Sequence, residues 1–215
     1  MCPPYRKDKE KMAAENLNEL FVEELRDIYD AEKQLTKALP KMAKATEDEQ
    51  LRTAFEDHLE VTRQHVSRIE EVFKLMGIAA KGKTCEGMKG LISEGEKAIE
   101  ELEGTVLDAA LIAGAQKVEH YEIATYGTLA TFAEVLEMSD AKDLLGQTLE
   151  EEKEADQKLT AIAEQINPEA ENEGKEEDEE EEGGMAMASD RSQRGGSTGS
   201  TRKGPGDSGS RARRK

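Results

Sequence analysis

The sequence predicts an all-α protein: a four-helix bundle with a short extra crossover helix and a disordered C-terminal tail. Three observations predict it. Four long segments repeat large apolar residues at alternating spacings of three and four, which places them on one face of a helix. No segment alternates apolar and polar residues over six or more positions, the pattern of a half-buried strand. Residues 171–190 carry ten acids and one lysine, and residues 191–215 carry eight Lys/Arg and one Asp. Such a tail has almost no large apolar residue and cannot bury enough surface to offset chain entropy. The expected organisation is a polar, Pro-containing arm over 1–15, the bundle over 16–168 and the tail over 169–215.

Asn16 followed by Glu19 opens the first helix, the Asn capping and the Glu reaching back. Its stripe is Phe21, Leu25, Ile28, Glu32, Leu35, Leu39 and Met42. Pro40 is expected to kink or break it. Thr46 with Glu49 repeats the capping logic for a second helix, with the stripe Phe55, His58, Thr62, His65, Ile69, Val72 and Met76. Gly77 is its expected stop. Residues 84–102 read as a short or broken helix, interrupted by Gly87, Gly90 and Gly95, that crosses between two longer ones. Thr105 with Asp108 starts the next long helix, running to about Met138 along Leu111, Ala115, Val118, Glu122, Thr125, Leu129, Phe132 and Leu136. Ser139 caps the last one, with the stripe Leu145, Thr148, Glu152, Ala155, Leu159, Ile162 and Ile166. Asn167-Pro168 is its expected end.

Charge and composition narrow the function classes. The chain has a net charge of −18, and residues 1–170 account for −16 of it. An acidic body repels nucleic acid and anionic membranes and attracts cations. Contact with nucleic acid is expected only through the basic end, Arg211 to Lys215. The two cysteines, Cys2 and Cys85, make neither a zinc site nor a stabilising disulfide. The first ten residues lack the apolar stretch of a secretory signal, and no run of about 18 apolar residues exists to span a membrane. A cytoplasmic protein is expected.

Three of the four core stripes hold a glutamate near mid-helix: Glu32, Glu122 and Glu152. The remaining stripe holds His58 and His65 at a comparable depth. Carboxylates in a core stripe are costly unless paired, hydrogen-bonded or metal-bound. Glu119 lies three residues before Glu122 and half a step aside on the same face. Asp156 follows Glu152 by one turn. Carboxylates and imidazoles converging from four helices are the donor set of a dinuclear iron or manganese centre, where carboxylates bridge the cations and cancel their charge. The candidate metal residues are therefore Glu32, His58, His65, Glu119, Glu122, Glu152 and Asp156. Tyr29, Tyr121 and Tyr126 are candidates for orienting the carboxylates, or are ordinary core-edge tyrosines. His120 lies opposite the Val118/Glu122 stripe and is expected to face outward.

The segments D-I-Y-D-A-E-K-Q-L-T-K-A-L (27–39), H-L-E-V-T-R-Q-H-V-S-R-I-E (58–70), A-A-L-I-A-G-A-Q-K-V-E-H-Y-E-I-A-T-Y-G-T-L-A (109–130) and T-L-E-E-E-K-E-A-D-Q-K-L-T (148–160) resemble the YciE/YciF family of bacterial ferritin-like proteins. The resemblance covers about residues 16–167 and does not reach the tail. It implies a ferritin-like, rubrerythrin-like bundle, a homodimer, a part in stress responses and a di-metal centre. It matches Glu32 to the first-helix ligand, Glu119 and Glu122 to the third-helix Glu-x-x-Glu, and Glu152 to the fourth-helix Glu. Two positions depart from the full pattern: Thr62 stands where the second helix would supply a Glu, and Ala155 where the fourth would supply a His. His58, one turn before Thr62, is the candidate replacement. The implied function is consumption of peroxide or oxygen by bound iron or manganese. No Cys-x-x-Cys pair is present to deliver electrons from a rubredoxin-type domain. The alternative is a non-enzymatic stress protein, a bundle dimer whose buried polar centre is a metal-free relic.

Overall fold

The structure is a computed structural model that describes residues 14–193, with side chains as far as residue 172. Five helices are present among them: α1 (Leu17–Ala45), α2 (Glu49–Leu75), α3 (Glu86–Glu101), α4 (Gly104–Val135) and α5 (Ser139–Gln193). No strand occurs among the described residues. The chain divides into two compact units, Met1–Glu173 and Gly174–Lys215. The first holds the bundle. The expected arm (1–15) and basic end (Arg211 to Lys215) lie almost wholly outside the described residues. The expected tail, 169–215, falls partly on α5 and otherwise outside them.

The start of α1 is the one the sequence indicates. The Asn16 side chain accepts from Glu19 N–H at 2.9 Å, and the Glu19 carboxylate accepts from the Glu15 N–H at 2.9 Å. Pro40 neither ends nor splits the helix. It sits on the exposed face, where the carbonyl its ring displaces can turn to water, so the usual penalty shrinks. The same reasoning corrects the expected end of the last helix. Pro168 is exposed, and α5 continues through it to Gln193, over a segment rich in Glu, a good helix former.

Thr46 is the C-cap of α1, not the N-cap of α2. That cap is Asp48, which accepts from Leu51 N–H at 2.7 Å; a carboxylate there also complements the helix dipole. Asp108 is likewise re-assigned. Instead of serving the start of α4, it reaches across and accepts from the N–H groups of Glu47 (3.2 Å) and Asp48 (2.9 Å). The bond fixes the beginning of α4 beside the α1–α2 turn. So α2 and α4 run in the same direction, and residues 76–103 cross back along the bundle.

That crossover begins with a Schellman stop. Gly77 has φ +68, its N–H bonds Lys74 O, and Ile78 N–H bonds Phe73 O, as the sequence stop signal indicated. The helix α3 is continuous despite its glycines, and Cys85 caps it through Sγ, 3.4 Å from Met88 N. Gly87 has a packing reason: a Cβ there would stand 2.9 Å from the Tyr121 ring. The end of α4 repeats the Schellman bonds with Glu137 at φ +60, three residues short of the expected Met138 boundary.

The core is built from the stripes. Phe21, Leu25 and Ile28 of α1, Leu51, Ile69 and Phe73 of α2, Leu111, Ile112 and Leu129 of α4 and Leu145 of α5 are at most 2% exposed. On α4 the buried line runs through Val118, Glu119, Glu122, Tyr126 and Leu129. It passes through Tyr126 where the sequence stripe has Thr125, a drift of one position.

Candidate metal centre

Apolar layers enclose a polar middle layer. Glu32, Thr62, His65, Glu122 and Glu152 are 0% exposed and Glu119 3%. Four helices meet there: α1 brings Glu32, α2 brings His58 and His65, α4 brings Glu119 and Glu122, and α5 brings Glu152.

These groups form two sets that share one residue. Glu32, His65 and Glu152 each offer a ligand atom within 4.8 Å of the others, and so do His58, Glu119, Glu122 and Glu152. Glu152 divides its oxygens between the sets. Its Oε1 is 3.0 Å from His65 Nδ1, and its Oε2 is 3.9 Å from His58 Nε2. Glu32 Oε1 is 3.3 Å from His65 Nδ1, and Glu119 Oε1 is 3.4 Å from His58 Nε2. These are approaches between potential ligands without hydrogen-bond geometry. Of the ten buried side-chain polar atoms left without a hydrogen-bond partner among the described residues, eight belong to these six residues. Both oxygens of Glu122 and both of Glu152 are among them. Buried polar atoms are ordinarily paired, so the cluster is short of partners of positive charge. Two divalent cations would balance four carboxylates, and the donor set of oxygen and imidazole nitrogen suits iron or manganese.

The electrostatics record the same shortage. Burial, then the negative charge of Glu152 and Glu32, raises the Glu119 and Glu122 carboxyls well above the ordinary range. Burial also raises Glu32, against the favourable His65. The two histidines diverge. Burial and the charge on His65 pull His58 down to about 4. For His65, burial is outweighed by the adjoining Glu152 and Glu32, which hold it at about 10.

A second layer of contacts orients the first. The His65 ring presents Nε2 to Glu151 Oε2 at 2.9 Å, which leaves Nδ1 facing Glu32 and Glu152. Arg68 grips Glu151 with both guanidinium nitrogens, Nη2 donating to Oε1 at 2.8 Å. Although burial opposes it, this clamp with His65 holds the Glu151 carboxyl down at about 2. Tyr126 O–H donates a hydrogen bond to Glu32 Oε1. A carboxylate behind a ligating imidazole fixes its tautomer and ring plane.

Of the sequence candidates, the structure brings together Glu32, His58, His65, Glu119, Glu122 and Glu152. Glu119 is fully in the layer and not aside from it. Asp156 is not brought in. It lies near the bundle surface, 3.5 Å from the ring of His120, whose side chain is 69% exposed as expected, and it accepts from Gln116 Nε2 at 3.3 Å. Among the tyrosines only Tyr126 reaches the centre; Tyr29 donates to Glu70 at 2.7 Å and Tyr121 to Asp27 at 2.8 Å. Thr62, in the place of a ligand, donates to its own helix at His58 O, 2.9 Å. Sequence reasoning missed Glu151 and Arg68. Arg68 stands three residues after His65, a spacing that puts them on one face, but Glu151 is hidden in an acidic run that reads as a solvated surface.

A protein-family model described as a domain of unknown function (DUF892) matches residues 16–171. Protein YciF of Escherichia coli K12 is 50% identical over 164 residues, which is 75% of this chain and 99% of that one. The solved structure of the E. coli stress protein YciF superposes with a TM-score of 0.70 at 49% identity, covering 72% of this chain and 99% of the other. YcfI of Rhodopseudomonas palustris gives a TM-score of 0.66 at 46% identity over 68% of this chain and 94% of its own. A protein from Xanthomonas campestris shares the fold at 20% identity, with a TM-score of 0.60. The matched span coincides with the bundle that carries the polar layer, and the chain belongs to the YciF family of DUF892 proteins.

Proposed function

We propose that the polar layer binds two iron or manganese ions and that the loaded protein consumes peroxide or oxygen as part of a stress response. The observation that carries this reading is Glu152, whose two buried oxygens point into two different ligand sets. Glu32, His65 and Glu152 would hold one ion; His58, Glu119, Glu122 and Glu152 the other. The ions would supply the electrons that reduce the oxidant. The chain's own residues hold and orient: Arg68 and Glu151 fix the His65 ring, Tyr126 fixes Glu32, and the apolar layers exclude water. The description of the YciF relative as a stress protein supports the physiological setting. The family resemblance also supports a homodimer, which sedimentation of the purified protein would test.

Thr62 and Ala155, at two positions where full centres carry ligands, favour a second reading: a bundle whose polar centre holds no metal. Metal analysis of protein purified without chelator decides between them. The expected result is about two equivalents of iron or manganese per chain, lost in Glu122→Ala. Protein that is metal-free and gains no thermal stability on addition of Fe(II) or Mn(II) overturns the first reading and supports the second.

A further inference from the structure

A second reactive cluster stands outside the metal centre, where α1, α3 and α4 meet. Cys85 is 1% exposed, and its Sγ lies 3.0 Å from the Tyr121 hydroxyl oxygen. The same hydroxyl donates to Asp27 Oδ2 at 2.8 Å. Tyr121 immediately precedes Glu122, so its side chain leaves α4 about 100° around the helix from that carboxylate. A thiol and a phenol are therefore in contact, one of them a single residue away from a candidate ligand.

Capping alone does not call for a thiol. Cys85 caps α3 over a 3.4 Å contact to Met88 N, and a serine hydroxyl or an aspartate serves an N-cap better. Burial and the neighbouring Asp27 raise the thiol, which keeps it protonated, unlike the thiolate of a nucleophile or a metal ligand. What the position provides is nearness to the ring. A Cβ at Gly87 would stand 2.9 Å from Tyr121 Cε2 and 3.5 Å from the hydroxyl oxygen. The ring edge that carries Cε2, a carbon next to the hydroxyl-bearing one, thus faces the first turn of α3, the turn that Cys85 opens. The bond to Asp27 fixes the hydroxyl on the other side.

We propose that Cys85 and Tyr121 form a modification site, at which hydrogen peroxide joins them through a thioether bond between Sγ and Cε2. One S–H and one ring C–H bond break and the S–C bond forms; the phenol keeps its O–H. The two electrons released reduce one peroxide, its O–O bond breaks, and the two protons complete two molecules of water. Carbon next to the hydroxyl is the reactive position because a phenol that has lost one electron carries unpaired density there. The proposal rests on the metal reading in one respect: the bound ions pass the electrons to peroxide. The product ties α3 to α4 covalently.

The test loads full-length protein with Fe(II) under anaerobic conditions, measures its iron content, and adds hydrogen peroxide equimolar to the chain. Peroxide loss is followed, and tryptic peptides are read by mass spectrometry after thiol alkylation. Residues 84–89 and 118–142 are expected as one species, lighter than the two peptides together by two hydrogens, with Cys85 closed to alkylation in most loaded chains. Tyr121→Phe, and Cys85→Ser, which keeps a capping oxygen, should each lose the linked species while still taking up iron and consuming peroxide. Loaded protein that consumes peroxide and yields the two peptides separately overturns this proposal alone, as does Cys85 recovered as its sulfinic acid beside an unchanged Tyr121. A linked species that persists in Tyr121→Phe also overturns it. Protein that takes up no iron and forms no link overturns the metal reading and this proposal together.

Discussion

Glu122 contributes two buried carboxylate oxygens with no hydrogen-bond partner, so without metal it opposes folding. Replacing it by an apolar residue of similar size removes that cost. Glu122→Leu is expected to stabilise chelator-treated protein by about 1–3 kcal/mol, read from the denaturant midpoint, and to lack the stabilisation by Mn(II) that the proposed centre predicts for the parent. A loss of stability in the chelator-treated variant would mean that the carboxyl is well paired without metal. Glu32, Glu122 and Glu152 were legible in the sequence because each interrupts an apolar stripe. Glu119 and Asp156 show the limit of that reading. Glu119 precedes Glu122 by about 60° of helix rotation and still fits within a buried face about 100° wide. Asp156 lies about 40° past Glu152, but on the side that turns towards α4 and His120. The angle alone does not say which flank of a stripe is enclosed.

At the scale of the helices, capping and packing compete with pattern. Thr46 and Glu49 fit the capping box, yet Asp48 takes the role because a carboxylate was available between them. The glycines of α3 suggested interruption, yet the helix is continuous, and only one of the three, Gly87, faces a neighbour closely. The three therefore respond differently to alanine. Gly90→Ala and Gly95→Ala meet nothing within 4 Å and should each stabilise the protein by about 0.5–1 kcal/mol. In Gly87→Ala the added methyl meets the Tyr121 ring at 2.9 Å. That ring is held by Asp27 and Cys85, so overpacking should outweigh helix propensity and destabilise by about 1–3 kcal/mol. Thermal denaturation of the three variants side by side checks the order.

For the whole molecule, the buried charges make stability depend on pH and metal together. His65 has a folded-state pKa raised to about 10, so its stabilising contribution is complete below about 6.5 and is lost as pH rises through 10. Glu119 and Glu122 are raised as well, chiefly by burial, so the cost of enclosing them grows as rising pH favours their ionised forms. Metal-free protein should therefore melt at progressively lower temperature from pH 7 to pH 10. Protein loaded with Mn(II) should show little of this fall, and its apparent affinity for the ion should increase with pH, since binding displaces protons. Melting curves with and without chelator test both. A metal-free melting temperature that is flat over this range would show that the polar layer is not charged as described.

The sequence by itself determined the all-α class, the number and order of the helices, their apolar faces and the three core glutamates. Those features depend on local spacing, which the helix period converts directly into position. Only the tertiary structure decided that Glu152 faces two candidate ligand sets, that Arg68 and Glu151 hold His65, and that Asp108 ties α4 to the α1–α2 turn. Each of these is a relation between helices. It depends on their relative rotation and stagger, and no periodicity within one segment records those.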